Sequence, residues 1–128
     1  MLSVKKKKNL KVATILSIWF GGELVHCWLS SNRVVIKNYG ISFGIGGWFF
    51  IVLNIIFVLL LTKIWWKNNS FAIGLVVAGG WINIIDRMFL GYVRDYWQIG
   101  WVFNNLADWV IQVGVIIFLL EIWIKKLK

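Results

Sequence analysis

Asp86, Asp95 and Asp108 are the only aspartates in the chain, and all three fall within 23 residues of one another. The first lies in Asn83-Ile84-Ile85-Asp86-Arg87 and the last closes Asn104-Asn105-Leu106-Ala107-Asp108. In a chain this apolar, a carboxylate in or near lipid is costly unless something satisfies it or uses it. Asp95 follows one apolar run by a few residues and Asp108 begins the next. A hairpin over 91–103 can therefore return the chain and bring both carboxyls to one boundary of the bilayer. Two carboxyls that close cannot both ionise easily, so the pair shares a proton. Together they can polarise a water and protonate a leaving group, which is aspartic peptidase chemistry. Spacing alone leaves a second reading open, that both are helix caps.

The other polar residues in apolar surroundings carry weaker signals. Asn83, Asp86 and Arg87 share one helical face, where Asn83 can supply amide hydrogen bonds, and they form a polar patch expected to hold the fold together. Glu23 interrupts the first apolar run, and a carboxylate at mid-span is a candidate proton or cation site for a small transporter. The alternative is a structural acid satisfied by His26, Arg87 or backbone groups of a neighbouring helix, and this is preferred. Glu23, His26 and Cys27 are too crowded on one helix to make a closed metal site, so no metal is expected. Cys27 is a lone cysteine without an internal disulfide partner and reads as a small buried residue.

These residues must be positioned by membrane-spanning elements. The chain has 128 residues, 60% of them hydrophobic, with ten Trp and no Pro, and its mean hydropathy is +0.79. That composition cannot present a soluble surface. Four apolar runs, over 12–29, 48–66, 71–90 and 106–124, are each long enough for a hydrocarbon core of about 30 Å. They predict an all-α membrane protein of four transmembrane helices forming a single unit over 1–128, with a short polar turn over 63–70 joining the second and third. Lysines 5–8 and 11, 63 and 67, and 125, 126 and 128 fall on one side of such a bundle. Both termini are therefore expected in the cytoplasm. The net charge of +9 then reports topology and contact with anionic lipid head groups, not nucleic acid. On the outward side, Val34-Val35-Ile36 and Ile41-Ser42-Phe43 flank Asn38-Tyr39-Gly40 and suggest either a small β-ribbon, or cradle, between the first two helices or an ordinary interfacial loop. Lys5 to Cys27 has the outline of a lipoprotein signal peptide, but His26 is too large to precede a cleaved cysteine and more membrane protein follows.

The run Asn83-Ile84-Ile85-Asp86-Arg87, then Gly91-Tyr92-Val93-Arg94-Asp95-Tyr96, and later Asn105-Leu106-Ala107-Asp108, resembles the signature of lipoprotein signal peptidase, or signal peptidase II. That family shows Asn-x-x-Asp-Arg, Gly-x-Val-x-Asp-[Phe/Tyr] and Asn-x-Ala-Asp in this order. Asn38-Tyr39-Gly40-Ile41-Ser42-Phe43 is similar to its Asn-x-Gly-x-x-Phe motif. The resemblance covers essentially the whole chain. The first span departs from it: the family's Asp-Gln-x-x-Lys is here Glu23-Leu24-Val25-His26-Cys27, keeping only the acid. Ile82 stands where a small residue is expected before Asn83, and the stretch from Asp95 to Asp108 is short.

The resemblance implies an aspartic endopeptidase of the bacterial inner membrane that needs no cofactor and has its active site at the extracytoplasmic face. Asp95 and Asp108 would be the catalytic pair. Asn38, Asn83, Arg87 and Asn105 would line the site or bind substrate, with Asp86, Gly40 and Glu23 in supporting positions. The substrate would be a prolipoprotein cut just before a cysteine that already carries diacylglycerol, with the lipid lying among the helices beside membrane phospholipids. Globomycin-type cyclic peptides would occupy the same pair. A small four-helix cation-coupled transporter using Glu23 is the competing expectation.

Overall fold

The computed structural model describes residues 3–40 and 47–127. Helix α1 begins where the Ser3 side chain accepts the Lys6 amide at 3.3 Å and runs over Val4–Ser31. It is longer than its apolar run because the lysine stretch is itself helix-favouring once capped. Strand β1 (Ile36–Asn38) follows, then α2 (Trp48–Asn68) and α3 (Phe71–Leu90). The turn between α2 and α3 is tighter than the eight-residue stretch 63–70 suggests, because α2 continues through Asn68. Only Asn69, in the left-handed conformation at φ 52°, and Ser70, which accepts the Ile73 amide at 3.3 Å, separate the helices. Gly91, at φ 79°, ends α3. Three short strands come next, β2 (Val93–Asp95), β3 (Trp97–Ile99) and β4 (Val102–Asn104), before α4 (Leu106–Lys126).

Among the described residues, four helices are long and apolar enough to cross a membrane. Many of the large apolar side chains of α2 and α4 are exposed in the isolated chain, as lipid-facing surfaces are. The bundle is organised on α3, which packs against α1, α2 and α4 and buries Ala72, Gly74, Leu75, Val77, Ala78, Gly79, Gly80 and Ile82 along its length. Small residues let the backbones close up, since apolar burial does not drive helices together inside lipid. A Cβ on Gly79 would lie 2.6 Å from the Ala107 carbonyl oxygen, and one on Gly114 would lie 2.8 Å from that of Ala72. Ile15, Trp65, Leu75, Val77 and Ala78 form the core nearer the termini.

The strands differ from the sequence expectation. Strand β1 does lie between the first two helices, but its partner comes from the segment between α3 and α4. It pairs antiparallel with β2, setting Ile36 opposite Asp95 and Asn38 opposite Val93. Ile41, Ser42 and Phe43, expected to supply the other half of a local ribbon, lie outside the described residues. Strands β3 and β4 form a separate hairpin turned at Gly100, whose φ is 60°. Both strand pairs gather at the end of the bundle opposite the two termini.

Gly79 touches the residue before Asp108, so Gly79→Ala is expected to destabilise the protein by about 1–3 kcal/mol and to lower activity by displacing the start of α4. Gly21→Ala, whose added Cβ meets nothing within 4 Å, should be near neutral. Denaturant unfolding in detergent, paired with a cleavage assay, checks both.

Candidate active site

The site is built where β2 and the first turn of α4 meet the far end of α3. Asn105 is the N-cap of α4 and Asp108 is its third residue, and the two form a capping box: Asn105 Oδ1 accepts the Asp108 amide at 3.1 Å and Asp108 Oδ2 accepts the Asn105 amide at 3.1 Å. The other Asp108 oxygen, Oδ1, accepts the Asn83 amide group at 3.0 Å. Asn105 Nδ2 donates to Asn83 Oδ1 at 3.1 Å and to Asp95 Oδ1 at 2.9 Å. Asp95 Oδ2 accepts from Asn38 Nδ2 at 3.0 Å, and Asn38 Oδ1 in turn accepts the Gly40 amide at 3.0 Å. Asp95 and Asp108 are thus joined through Asn105, which bonds both, and Asn83, which bonds Asn105 and Asp108, and neither carboxylate accepts a hydrogen bond from a cation among the described residues.

Asp95 is 1% exposed. Burial is the largest influence on its carboxyl and pushes its pKa above the ordinary value; the neighbouring Asp108 charge adds to this, while the bonds from Asn38 and Asn105 oppose it. Arg87 is also buried, but its guanidinium binds carbonyls, Gly40 O at 2.7 Å and Asn83 O at 3.3 Å, and its Nε has no hydrogen-bond partner among the described residues. Two cavities meet at this point. One of about 360 Å³ runs between α2, α3 and α4 and is lined by Asn83, Arg87, Asp95 and Asp108 together with apolar side chains such as Phe57 and Leu61. The second, about 390 Å³, lies over Ile36 to Gly40 and the β3–β4 hairpin. Asn38, Asp95, Val102 and Phe103 line both.

Asn38, Asn83, Arg87, Asp95, Asn105 and Asp108 therefore converge, with Gly40 holding both Asn38 and Arg87. Asp86 belongs elsewhere. Although it shares a helical face with Asn83 and Arg87, its carboxylate, 1% exposed, accepts from the Arg94 backbone amide at 2.9 Å, from Arg94 Nε at 3.0 Å and from His26 Nε2 at 2.9 Å. Alternation along β2 explains the division, since Arg94 points away from the face that carries Val93 and Asp95. Glu23 meets residues other than those expected: its Oε1 lies 3.7 Å from Arg94 and 3.6 Å from the Cys27 sulfur, while its Oε2 has no hydrogen-bond partner among the described residues. Both nitrogens of His26 have protein partners, so Glu23, His26 and Cys27 do not make a ligand set. Sequence reasoning overlooked Arg94 and Tyr96 and gave His26 no role of its own. The available signal was that Arg94 and Tyr96 flank the candidate aspartate, and that His26 lies on a span that otherwise has only one acid.

Residues 6–124 match the family model described as signal peptidase (SPase) II. A lipoprotein signal peptidase of Thermodesulfovibrio yellowstonii is 34% identical over 98 residues, which cover 68% of this chain and 67% of the relative. Those of Serratia marcescens and Hydrogenovibrio crunogenus are 34% and 33% identical, covering 76% and 81% of this chain and 66% and 72% of the relatives. A solved structure described as a bacterial membrane enzyme superposes with a TM-score of 0.77 at 21% identity, covering 90% of each chain, and shows the same fold. Nothing among these likenesses points to a transporter. With its four apolar helices and a family match spanning nearly its whole length, this multi-pass membrane protein belongs to the signal peptidase II family of lipoprotein signal peptidases, and it is a protease.

Proposed function

We propose that Asp95 and Asp108 are the catalytic pair of this aspartic peptidase and that it cuts a prolipoprotein just before a diacylglyceryl-modified cysteine. The observation that carries the assignment is that one linked pair of asparagines holds these two carboxylates, Asn105 bonding both and Asn83 bonding Asn105 and Asp108, and that both carboxylates line a cavity running among the helices. In the reaction, the ionised member takes a proton from water as the oxygen adds to the scissile carbonyl carbon. The protonated member gives its proton to the carbonyl oxygen. The tetrahedral intermediate then collapses, the C–N bond breaks, and the departing cysteine amine takes up a proton. Arg87 lines the same cavity beside the pair.

The cavity between α2, α3 and α4 suits the lipid and the apolar signal segment, while the second cavity gives water and the peptide a route to Asp95. Lysines flanking the helices at the ends shared by the termini put those ends in the cytoplasm. The site then faces the extracytoplasmic side of the bacterial inner membrane, bathed by phospholipid. Globomycin-type peptides would compete for the same pair.

Asp95→Asn and Asp108→Asn should each abolish cleavage of a lipidated precursor in a reconstituted assay while keeping the helical content of the protein, each losing one acceptor and about 1–3 kcal/mol of stability. Full cleavage by both variants would exclude the assignment.

A raised carboxyl pKa means that the folded state favours the protonated form. That contribution to stability is present at low pH and lost as pH rises through the folded pKa. Asp95 should accordingly hold its proton above the ordinary carboxylate range, placing the alkaline limb of the kcat/KM profile there. In Asp108→Asn the adjacent negative charge is gone, so the Asp95 carboxyl band in an infrared titration should move to lower pH. An unmoved or upward-shifted band counts against the electrostatic coupling of the pair.

A further inference from the structure

His26 is fully buried and bridges two parts of the molecule that the reaction chemistry does not touch directly. Its Nε2 lies 2.9 Å from Asp86 Oδ2 and its Nδ1 lies 2.9 Å from the Tyr96 hydroxyl. That hydroxyl oxygen also accepts the Leu106 amide, the first N–H of α4, at 3.0 Å. The Tyr96 backbone amide donates to Asn104 O at 3.1 Å. A continuous path thus runs from α3 through α1 to the start of α4. It ends between Asp95, the chain neighbour of Tyr96, and Asp108, two residues past Leu106.

The hydrogens along this path can be counted. A backbone amide only donates, so the Leu106 contact uses a lone pair of the Tyr96 oxygen and leaves the phenol hydrogen to be placed. Asp86 accepts three nitrogens of Arg94, the backbone amide, Nε and Nη2, and serves as an acceptor only. Nε2 of His26 must then carry a hydrogen. If Nδ1 is bare, it accepts the phenol hydrogen and every donor is used. If Nδ1 is protonated, it donates to the phenol oxygen and strands the phenol hydrogen on a tyrosine that is 7% exposed.

We infer that His26, as the neutral Nε2–H tautomer, is a positioning residue that works through the Tyr96 hydroxyl to fix the first turn of α4, and with it Asp108 relative to Asp95. The inference rests on the catalytic reading of that pair. The phenol oxygen holds an N–H that would otherwise need water or lipid, and it does so only while His26 keeps the ring turned. Direct contact with substrate is not required, so the effect belongs in kcat more than in KM.

The chain has a single histidine, so imidazole nitrogen NMR of the full-length protein in micelles reports on this ring alone. One protonated and one bare nitrogen are expected at the pH of the assay, with the bare one losing its hydrogen-bonded shift in Tyr96→Phe. In the cleavage assay, His26→Phe and Tyr96→Phe should lower kcat about tenfold or more with KM changed less than about twofold, as displacement of a reacting group does. His26→Gln, whose amide offers one acceptor and donors but cannot become a cation, should recover most of the loss. A doubly protonated ring overturns the inference, as does a Gln variant no better than Phe, or unchanged kcat in both Phe variants. If instead Asp95→Asn and Asp108→Asn remain active, the catalytic reading is what fails, and the nitrogen spectrum still decides the state of His26.

Discussion

The arrangement depends on how three carboxylates at one end of a membrane bundle, Asp86 and Asp95 buried and Asp108 partly buried, are satisfied by different partners. A buried carboxylate needs either a cation or enough hydrogen-bond donors. Asp86 receives the Arg94 guanidinium and His26, and is committed to structure. Asp95 and Asp108 receive amides instead, from Asn38, Asn83 and Asn105, and in Asp108's case also from the backbone of the cap. Amides orient a carboxylate without supplying a charge that would hold it ionised. Arg87, the cation near enough to interfere, has both of its terminal guanidinium nitrogens directed at carbonyl oxygens. It can influence the pair through space without capturing either member.

This division requires backbone elements that place residues a few positions apart in different surroundings. Helix α3 presents Asn83 toward α4 and Asp86 toward α1, and the glycines at 74, 79 and 80 permit the close approach that keeps both faces buried. Strand β2 performs the same separation over two residues, turning Asp95 toward the cavity and Arg94 toward Asp86. Pairing with β1 then brings Asn38 across to Asp95. The strands are three residues long, too short to be stable on their own. The side-chain bonds that cross them, Asn38 to Asp95 and Arg87 to Gly40, are therefore as much a part of the strand pairing as its ladder.

Much of this was legible in the sequence, because the strongest signals were local. The third span could be bounded from 71 to 90 by its apolar run between Ser70 and Gly91, both of which cap α3. The amide and carboxylate residues of the site stood out as polar groups in an apolar chain. What was hidden depends on contacts far apart in sequence. No local pattern tells β1 to choose β2 over a neighbour a few residues away. His26 meets Asp86 and Tyr96 across 60 and 70 positions, so it looked like a companion of Glu23 on its own helix. Shared helical face was a poor guide to the partners of Asp86, since a strand packed against α3 offered a cation at better geometry than Arg87.

Helix cap and reactive acid, first set apart as rival readings of Asp108, are compatible in this geometry. The capping box occupies Oδ2 with the Asn105 amide and uses the Asn105 side chain to hold the Asp108 amide. That same side chain spends its Nδ2 hydrogens on Asp95 and Asn83. The cap therefore sets the angle of the Asp108 carboxyl and spaces it from Asp95 with one rigid amide. A carboxylate held this way loses little freedom when substrate arrives, which is what electrostatic preorganisation requires. It also explains why a cap built from asparagine and aspartate suits this position better than a serine: a hydroxyl could accept the amide of the third residue, but it could not also donate to Asp95 and Asn83.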